Sequence, residues 1–382
     1  RDVAKALEAR KIKLVVRHGQ PHDAALHYGK DAAIIICDRG YLRHQRRWRD
    51  TLADQAECRV VQVESDVVVP VEVASDKHEF AARTIRPKIH KAWETYLVPL
   101  KRTDPIRDGR RVSIVGDIDV SDPGAAIEKL KIDRSVPASP LYEGGEVQAQ
   151  RLLQRFIDGQ LSAYADGRNE PAAGQSSKMS MYLHYGHISP LDLALRVRSA
   201  TQGTPADRDS YIEELIIRRE LAMNFCQFHA QYDSYECLPQ WAKKTLADHA
   251  TDPRPVLYSR EQLELAQTQD PYWNAAQTEM VVSGFMHNYM RMYWGKKILE
   301  WSATPIEAYD TTIYLNNKYE LDGRDANSYA NIAWIYGLHD RPWTQRPIFG
   351  TVRYMNAAGL ERKFDIDKYV QKVAMLRQEH AS

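Results

Sequence analysis

The first 75 residues alternate short apolar runs with longer, helix-spaced polar stretches. IKLVV (12–16), AAIIIC (32–37) and CRVVQVE (58–64) are branched and apolar, and residues 42–56 are long enough for a helix between the last two. That alternation predicts parallel strands joined by crossover helices, hence an α/β layer. Residues 76–145 are mixed. A helical piece (HEFAARTIRPKIHKAWETYL) precedes polar sequence broken by proline and glycine, including DPIRDGRR and SDPGAA, which reads as a connector between domains. From about 146 strand patterning stops and helix punctuation takes over. Ser189-Pro190 supplies a cap and a first-turn proline; Ser210–Glu213, Ser259–Gln262 and Thr304–Glu307 have capping-box spacing; Gly323 and Gly337 stand where helices should stop. The expected architecture is an α/β layer over 1–75, a connector over 76–145 and an all-α domain over 146–382.

Within the helical part, HNYMRMYWGKKILEW (287–301) sets Trp294 and Trp301 seven residues apart. Seven steps of ~100° return to within ~20° of the starting direction and advance about 10.5 Å. Both indoles therefore share one helix face. One reading is a core stripe with Met290, Ile298 and Leu299; the other is a pair of relays for a travelling electron.

Composition narrows the class. The chain has 382 residues, 43% hydrophobic and 27% charged, with no apolar run of membrane-spanning length. No secretory signal opens it, and its start on Arg1 in helix-like sequence suggests that an amino-terminal segment is missing. Cys37, Cys58, Cys226 and Cys237 form no CxxC or Cys/His group, which argues against a zinc site or disulfide framework and suits a reducing compartment. Net charge is only +1, so nucleic-acid binding would need a local basic patch.

Four stretches could carry chemistry. In QSSKMSMYLHYGHISP (175–190), Ser176, Ser177 and Ser180 precede a helix and could surround a phosphate, although the spaced glycines of a Walker or Rossmann loop are absent; an ordinary polar loop is the alternative. Nearby Tyr164, Arg168 and Asn169 read as a lid or a helix end. In EELIIRRELAMNF (213–225), Glu214 and Arg218 share a helix face at four-residue spacing, either as a surface pair or with Glu214 in a desolvating pocket. In YLNNKYELDGRDANSYANIAW (314–334), Asn316 nears a helix end, and Asp322 either serves an Asp-Gly turn or pairs with Arg291 beside a cofactor. The acids there match no calcium loop and have no histidine beside them, so no metal is expected. In HDRPWTQRPIFGTVRYM (339–355), Arg341, Arg346 and Arg353 interleave with Trp343, Phe349 and Tyr354, as on a DNA-facing surface or a solvated loop.

Taken with SMYLHYGHIS, DPYWNAAQ and SDKHEFAARTIRPK, these stretches resemble the class II cyclobutane-pyrimidine-dimer photolyases of the photolyase/cryptochrome superfamily. The resemblance implies a Rossmann-like amino-terminal domain, its first strands missing here, able to hold a deazaflavin- or folate-type antenna. It implies a helical domain binding FAD, with Tyr164, Ser176, Ser177, Lys178, Met179 and Ser180 around the phosphates and ribityl chain. Arg291 and Asp322 would pair beside the flavin ring, and Asn316 would hydrogen-bond its N5 and favour reduced states. Trp294, Trp273 and Trp301 would form the relay from flavin to surface. Glu214 would contact the dimer, with Met292 and Trp334 packed against it, and Arg168, Asn169, Arg341 and Arg353 would hold the DNA. Arg218 stands where some relatives place an aromatic. The implied activity is light-driven splitting of dimers in single- or double-stranded DNA by a monomer, in the cytoplasm of a prokaryote or the nucleus of a eukaryote; photolyases are a standing example of enzymes that extrude their target nucleotide. A cryptochrome-like photoreceptor without repair activity, a (6-4) photoproduct lyase and a cofactor-free DNA-binding module are the rival expectations.

Overall fold

Ile34–Asp38 (β1) and Arg59–Val63 (β2) pair in parallel, Ile34 opposite Arg59 and Asp38 opposite Val63, and the helix Arg43–Gln55 crosses between them. Parallel neighbours need such a crossover, because a tight turn can only reverse the chain. The structure, a computed structural model, describes residues 1–380, so the last two residues of the expected helical domain lie outside it.

One expectation for this unit fails. Residues 12–16 form no strand. They run beside 109–118, where the Gly109 amide donates to the Lys11 carbonyl (2.8 Å) and the Asp117 and Ile118 amides to that of Val16 (3.1 and 3.3 Å). Between these end contacts no backbone hydrogen bond joins the two stretches, so they form no repeating ladder. The two strands that do form stay partly open to solvent, with Ile34 and Ile36 41% and 64% exposed.

The helix Arg219–Phe228 joins the α/β unit to the helical body through buried polar side chains. The Glu220 carboxyl accepts from the amides of Val68 (2.6 Å) and Val69 (3.3 Å), and burial pushes its pKa up to about 8. Arg219 pairs with Asp66, and Asn224 accepts from the Glu79 amide and donates to the Lys77 carbonyl. The helix Ala82–Tyr96 then buries Ile85 and Ile89 in one of two cores, together with Phe156, Tyr211 and Ile216. Residues 98–145 beyond it are mostly irregular.

After residue 145 no strand forms among the described residues apart from an isolated Arg346–Gly350 bridge, in keeping with the expected all-helical half. Ser189 and Thr304 cap their helices, and Ser259 and Gln262 bond reciprocally. Ser210 starts nothing. Thr204-Pro205 begins that helix earlier, with reciprocal Thr204–Asp207 bonds, which leaves Ser210 inside Pro205–Ile212. The second core gathers Trp273, Tyr293, Trp294, Tyr309 and Tyr336. It is tight at Gly295, where an added Cβ would stand 2.4 Å from Ile335 Cδ1; this close approach sets the helix Asn288–Trp301 against Ala326–Ile335.

Candidate cofactor and DNA-facing site

The helix Asn288–Trp301 organises the site. Trp294 and Trp301 lie on its buried face, and Trp273, from the helix Pro271–Ser283, inserts between them. The Trp273 and Trp294 ring centroids are 6.4 Å apart with planes 10° apart, and Trp301 meets Trp273 edge-on at 5.7 Å. Trp273 Nε1 donates to the Trp294 carbonyl and Trp294 Nε1 to Gln277 Oε1, both at 2.9 Å. The indoles are part of the core and also form a contiguous aromatic path, so the core-stripe and relay readings describe one arrangement.

One turn before Trp294, the buried Arg291 guanidinium meets two carboxylates, Glu320 Oε2 at 3.0 Å and Asp322 Oδ1 at 3.3 Å. The Glu320 contact is close but misaligned: neither Glu320 oxygen nor Arg291 Nε has a hydrogen-bond partner. Burial drives the Glu320 carboxyl well above its usual range, against the pull of Arg291. Asn316 is buried and donates to Ser328 Oγ (3.3 Å), which donates to the Asp322 carbonyl (2.9 Å).

His287 caps this helix and ties it to the 164–180 segment. Its Nδ1 accepts from the Tyr289 amide (3.2 Å), which leaves Nε2–H to donate to the Arg168 carbonyl at 3.1 Å. Burial, and next the nearby Lys178 cation, push its pKa down to about 3. Lys178 has a left-handed backbone (φ 59°), its ammonium lies 3.1 Å from the Phe285 ring centroid, and burial lowers its pKa to about 8. Met179 is buried, Ser176 is half-buried and Ser180 is exposed at the start of a five-residue helix. Ser177 Oγ accepts from Tyr211 OH at 3.1 Å. Tyr164 packs edge-on against Phe156 and Tyr211, and burial raises its pKa to about 12.

The expected Glu214–Arg218 pair does not form. Residues Glu213–Arg218 adopt a π-helix, whose i→i+5 bonding widens the turn and brings Arg218 to Glu213 (3.3 Å). Glu214 pairs instead with Arg168 at 2.8 Å, and a third of its side chain is exposed, so it lacks the apolar, desolvating pocket expected around it. Arg218 lies over Trp334, 5.4 Å from the ring centroid. Met292, Trp334 and Asn169 are half-buried. Arg341 and Arg353 both lie over the exposed Trp343, at 5.7 and 5.1 Å. Phe349 is 1% exposed and cannot stack on a base; it packs under Tyr354.

Sequence reasoning passed over Glu320, Ser328, His287 and Lys296. Lys296 is fully buried, donates to the Ile335 carbonyl and so fixes the end of the Trp334 helix; burial lowers its pKa to about 7. Its polarity inside an aromatic stripe was a signal. Glu320, within KYELDGRD, looked like turn sequence.

Solved photolyases and cryptochromes share this fold. The class III photolyase from Agrobacterium tumefaciens superposes with a TM-score of 0.72 at 18% identity, covering 98% of this chain and 75% of that one. An archaeal photolyase from Sulfolobus tokodaii, solved with two FAD molecules, gives 0.69 at 14% identity, covering 99% and 79%. At such identities the likeness concerns the fold alone. The sequence model of the DNA photolyase family matches residues 1–105. A deoxyribodipyrimidine photo-lyase of Methanothermobacter thermautotrophicus is 46% identical over 382 residues, covering 99% of this chain and 83% of the relative; those of Oryza sativa (43%, 90% and 70%) and Potorous tridactylus (39%, 98% and 70%) follow. The chain belongs to the DNA photolyase family.

Proposed function

We propose that the chain is a light-dependent DNA repair lyase, a deoxyribodipyrimidine photo-lyase that splits cyclobutane pyrimidine dimers with FAD as its cofactor. The observation that carries the reading is that one helix bears both the buried Arg291, beside Asp322 and Glu320, and Trp294, stacked on Trp273, in a chain 46% identical to a photo-lyase.

The residues present fit FAD. Arg291 Nε and both Glu320 oxygens are buried without a hydrogen-bond partner, leaving hydrogen-bonding capacity for a polar ligand edge beside their ion pair, and Gln175 Oε1, in the 175–180 segment, is likewise unsatisfied. Arg291, Asp322 and Asn316 would hold the ring system, and Tyr164 with Ser176 through Ser180 the phosphate side. The chemistry FAD supplies when bound in its reduced form is a light-driven one-electron transfer to the dimer, which opens two ring bonds and returns the electron. The chain's own residues position and tune. Arg291 offsets negative charge, the Asn316 amide offers a neutral hydrogen bond, and the surrounding core excludes water. Trp294, Trp273 and Trp301 carry electrons inward from solvent reductants and take no part in the repair flash. On the DNA side, Glu214 contacts the dimer from its pair with Arg168, Met292 and Trp334 pack against it, and Arg341 and Arg353 bind phosphate. An antenna chromophore of deazaflavin or folate type would belong to the α/β unit.

Membership in class II is supported by the motifs named above. The deciding experiment compares repair of a dimer-containing oligonucleotide in light and darkness. Light-dependent restoration of the thymines supports the reading; flavin photoreduction with dimers left joined would make the protein a photoreceptor.

A further inference from the structure

Arg218 stands on the lesion side of the site with no task assigned. It closes the π-helical segment Glu213–Arg218, a local distortion of the kind that re-aims side chains at functional sites. Glu213, its carboxylate neighbour at 3.3 Å, is already held by both forks of Arg86 at 2.6 and 3.0 Å. The Arg218 guanidinium lies over Trp334; its buried Nε faces Glu213 Oε1 at 3.3 Å without hydrogen-bond alignment, and among the described residues none of its nitrogens donates a hydrogen bond to another residue. About a third of the side chain is exposed. A guanidinium carries its N–H donors in its own plane, so one held near a ring keeps an edge free to donate.

We propose that Arg218 is a substrate-contacting residue whose N–H edge donates to the carbonyl oxygens of a pyrimidine dimer lying against Trp334. The proposal rests on the repair reading above. Joining two pyrimidines through a cyclobutane ring removes their C5–C6 double bonds and puckers them. The dimer thus offers less flat surface for stacking than intact bases do, yet keeps every carbonyl acceptor. An arginine held near Trp334 answers both changes: it fills space beside the ring, and its N–H edge meets the carbonyls. The same oxygens take up charge when the dimer accepts an electron, so the cation also stabilises the reacting state. Arg218 makes and breaks no bond and keeps its proton throughout. A contact to phosphate, by contrast, would serve damaged and intact DNA alike.

The test measures, on FAD-loaded protein, affinity for an oligonucleotide with one thymine dimer, affinity for its undamaged counterpart, and repair yield per absorbed photon at saturating DNA. For Arg218→Gln we expect about tenfold weaker dimer binding, the scale of one charge-assisted hydrogen bond. Affinity for undamaged DNA should stay within about twofold, as for a site away from the contact, and the yield at saturation should fall. Arg218→Lys should resemble the glutamine variant, because an ammonium keeps the charge without the planar fork. Equal losses on both oligonucleotides, or full recovery with lysine, would overturn the proposal. Should Arg218→Gln lose flavin or melt early, Arg218→Met, which retains packing on Trp334, must show the same selective loss. A wild-type chain that neither prefers nor repairs the dimer refutes the repair reading itself; a repairing wild type with an unaltered glutamine variant refutes only the role of Arg218.

Discussion

Trp273 is locked to Trp294: its indole nitrogen donates to the Trp294 backbone carbonyl at 2.9 Å, and the two ring planes are 10° apart. A ring held by the main chain of its neighbour cannot rotate away, so the aromatic contact persists through side-chain motion. Trp294→Phe should therefore slow photoreduction of oxidised flavin at least tenfold while leaving repair by prereduced enzyme nearly intact. Time-resolved absorbance and a repair assay separate the two; loss of both would contradict the relay. The smaller ring should cost no more than about 2 kcal/mol of stability, well short of a Trp-to-Ala truncation.

Glu214 and Arg168 face each other at 2.8 Å with partial exposure, where an ion pair contributes about 1 kcal/mol or less. Glu214→Ala should therefore spare folding and lower the repair yield more than lesion affinity. A yield equal to wild type in a quantum-yield measurement would remove Glu214 from the reaction.

Arg353 and Arg341 share the exposed Trp343 ring, which orients both cations toward one surface. Arg353→Ala should weaken DNA binding and reduce the slope of log affinity against log salt by about one unit. A titration across salt concentrations that returns the wild-type slope would exclude a phosphate contact.

His287 can cap its helix only while Nδ1 is unprotonated. Its folded pKa is pushed down to about 3 from an ordinary 6.5, so between those values the unfolded chain binds a proton that the folded chain refuses. The associated stability is complete above pH 6.5 and is lost as pH falls toward 3, by up to about 1.4 kcal/mol per pH unit. His287→Asn, which keeps a neutral capping acceptor, should flatten that dependence by about one proton. Denaturant midpoints at several acidic pH values would show it, and an unchanged slope would assign the acid sensitivity elsewhere.

Local patterns were legible wherever one residue's neighbours along the chain decided its state. The caps at Ser189, Ser259 and Thr304, the runs that became β1 and β2, and the shared face of Trp294 and Trp301 all follow from dihedral preferences and helical period. The Ser210 cap failed because a stronger start, Thr204-Pro205, lay a turn and a half upstream. Residues 12–16 failed because a strand needs a partner of matching register, which no run of apolar residues supplies by itself.

By itself, then, the sequence determined the helical half, the parallel pair and the roster of aromatic and charged side chains that could serve a flavin and a lesion. The tertiary structure alone decided who meets whom. It inserted Trp273 between two indoles of another helix, gave Arg291 a second carboxylate in Glu320, and through one π-helical segment moved Arg218 to Glu213 and left Glu214 to Arg168. Periodicity records directions around one axis. Pairings between axes depend on packing distance and on bulges in the hydrogen-bond ladder, which no single stretch of sequence encodes.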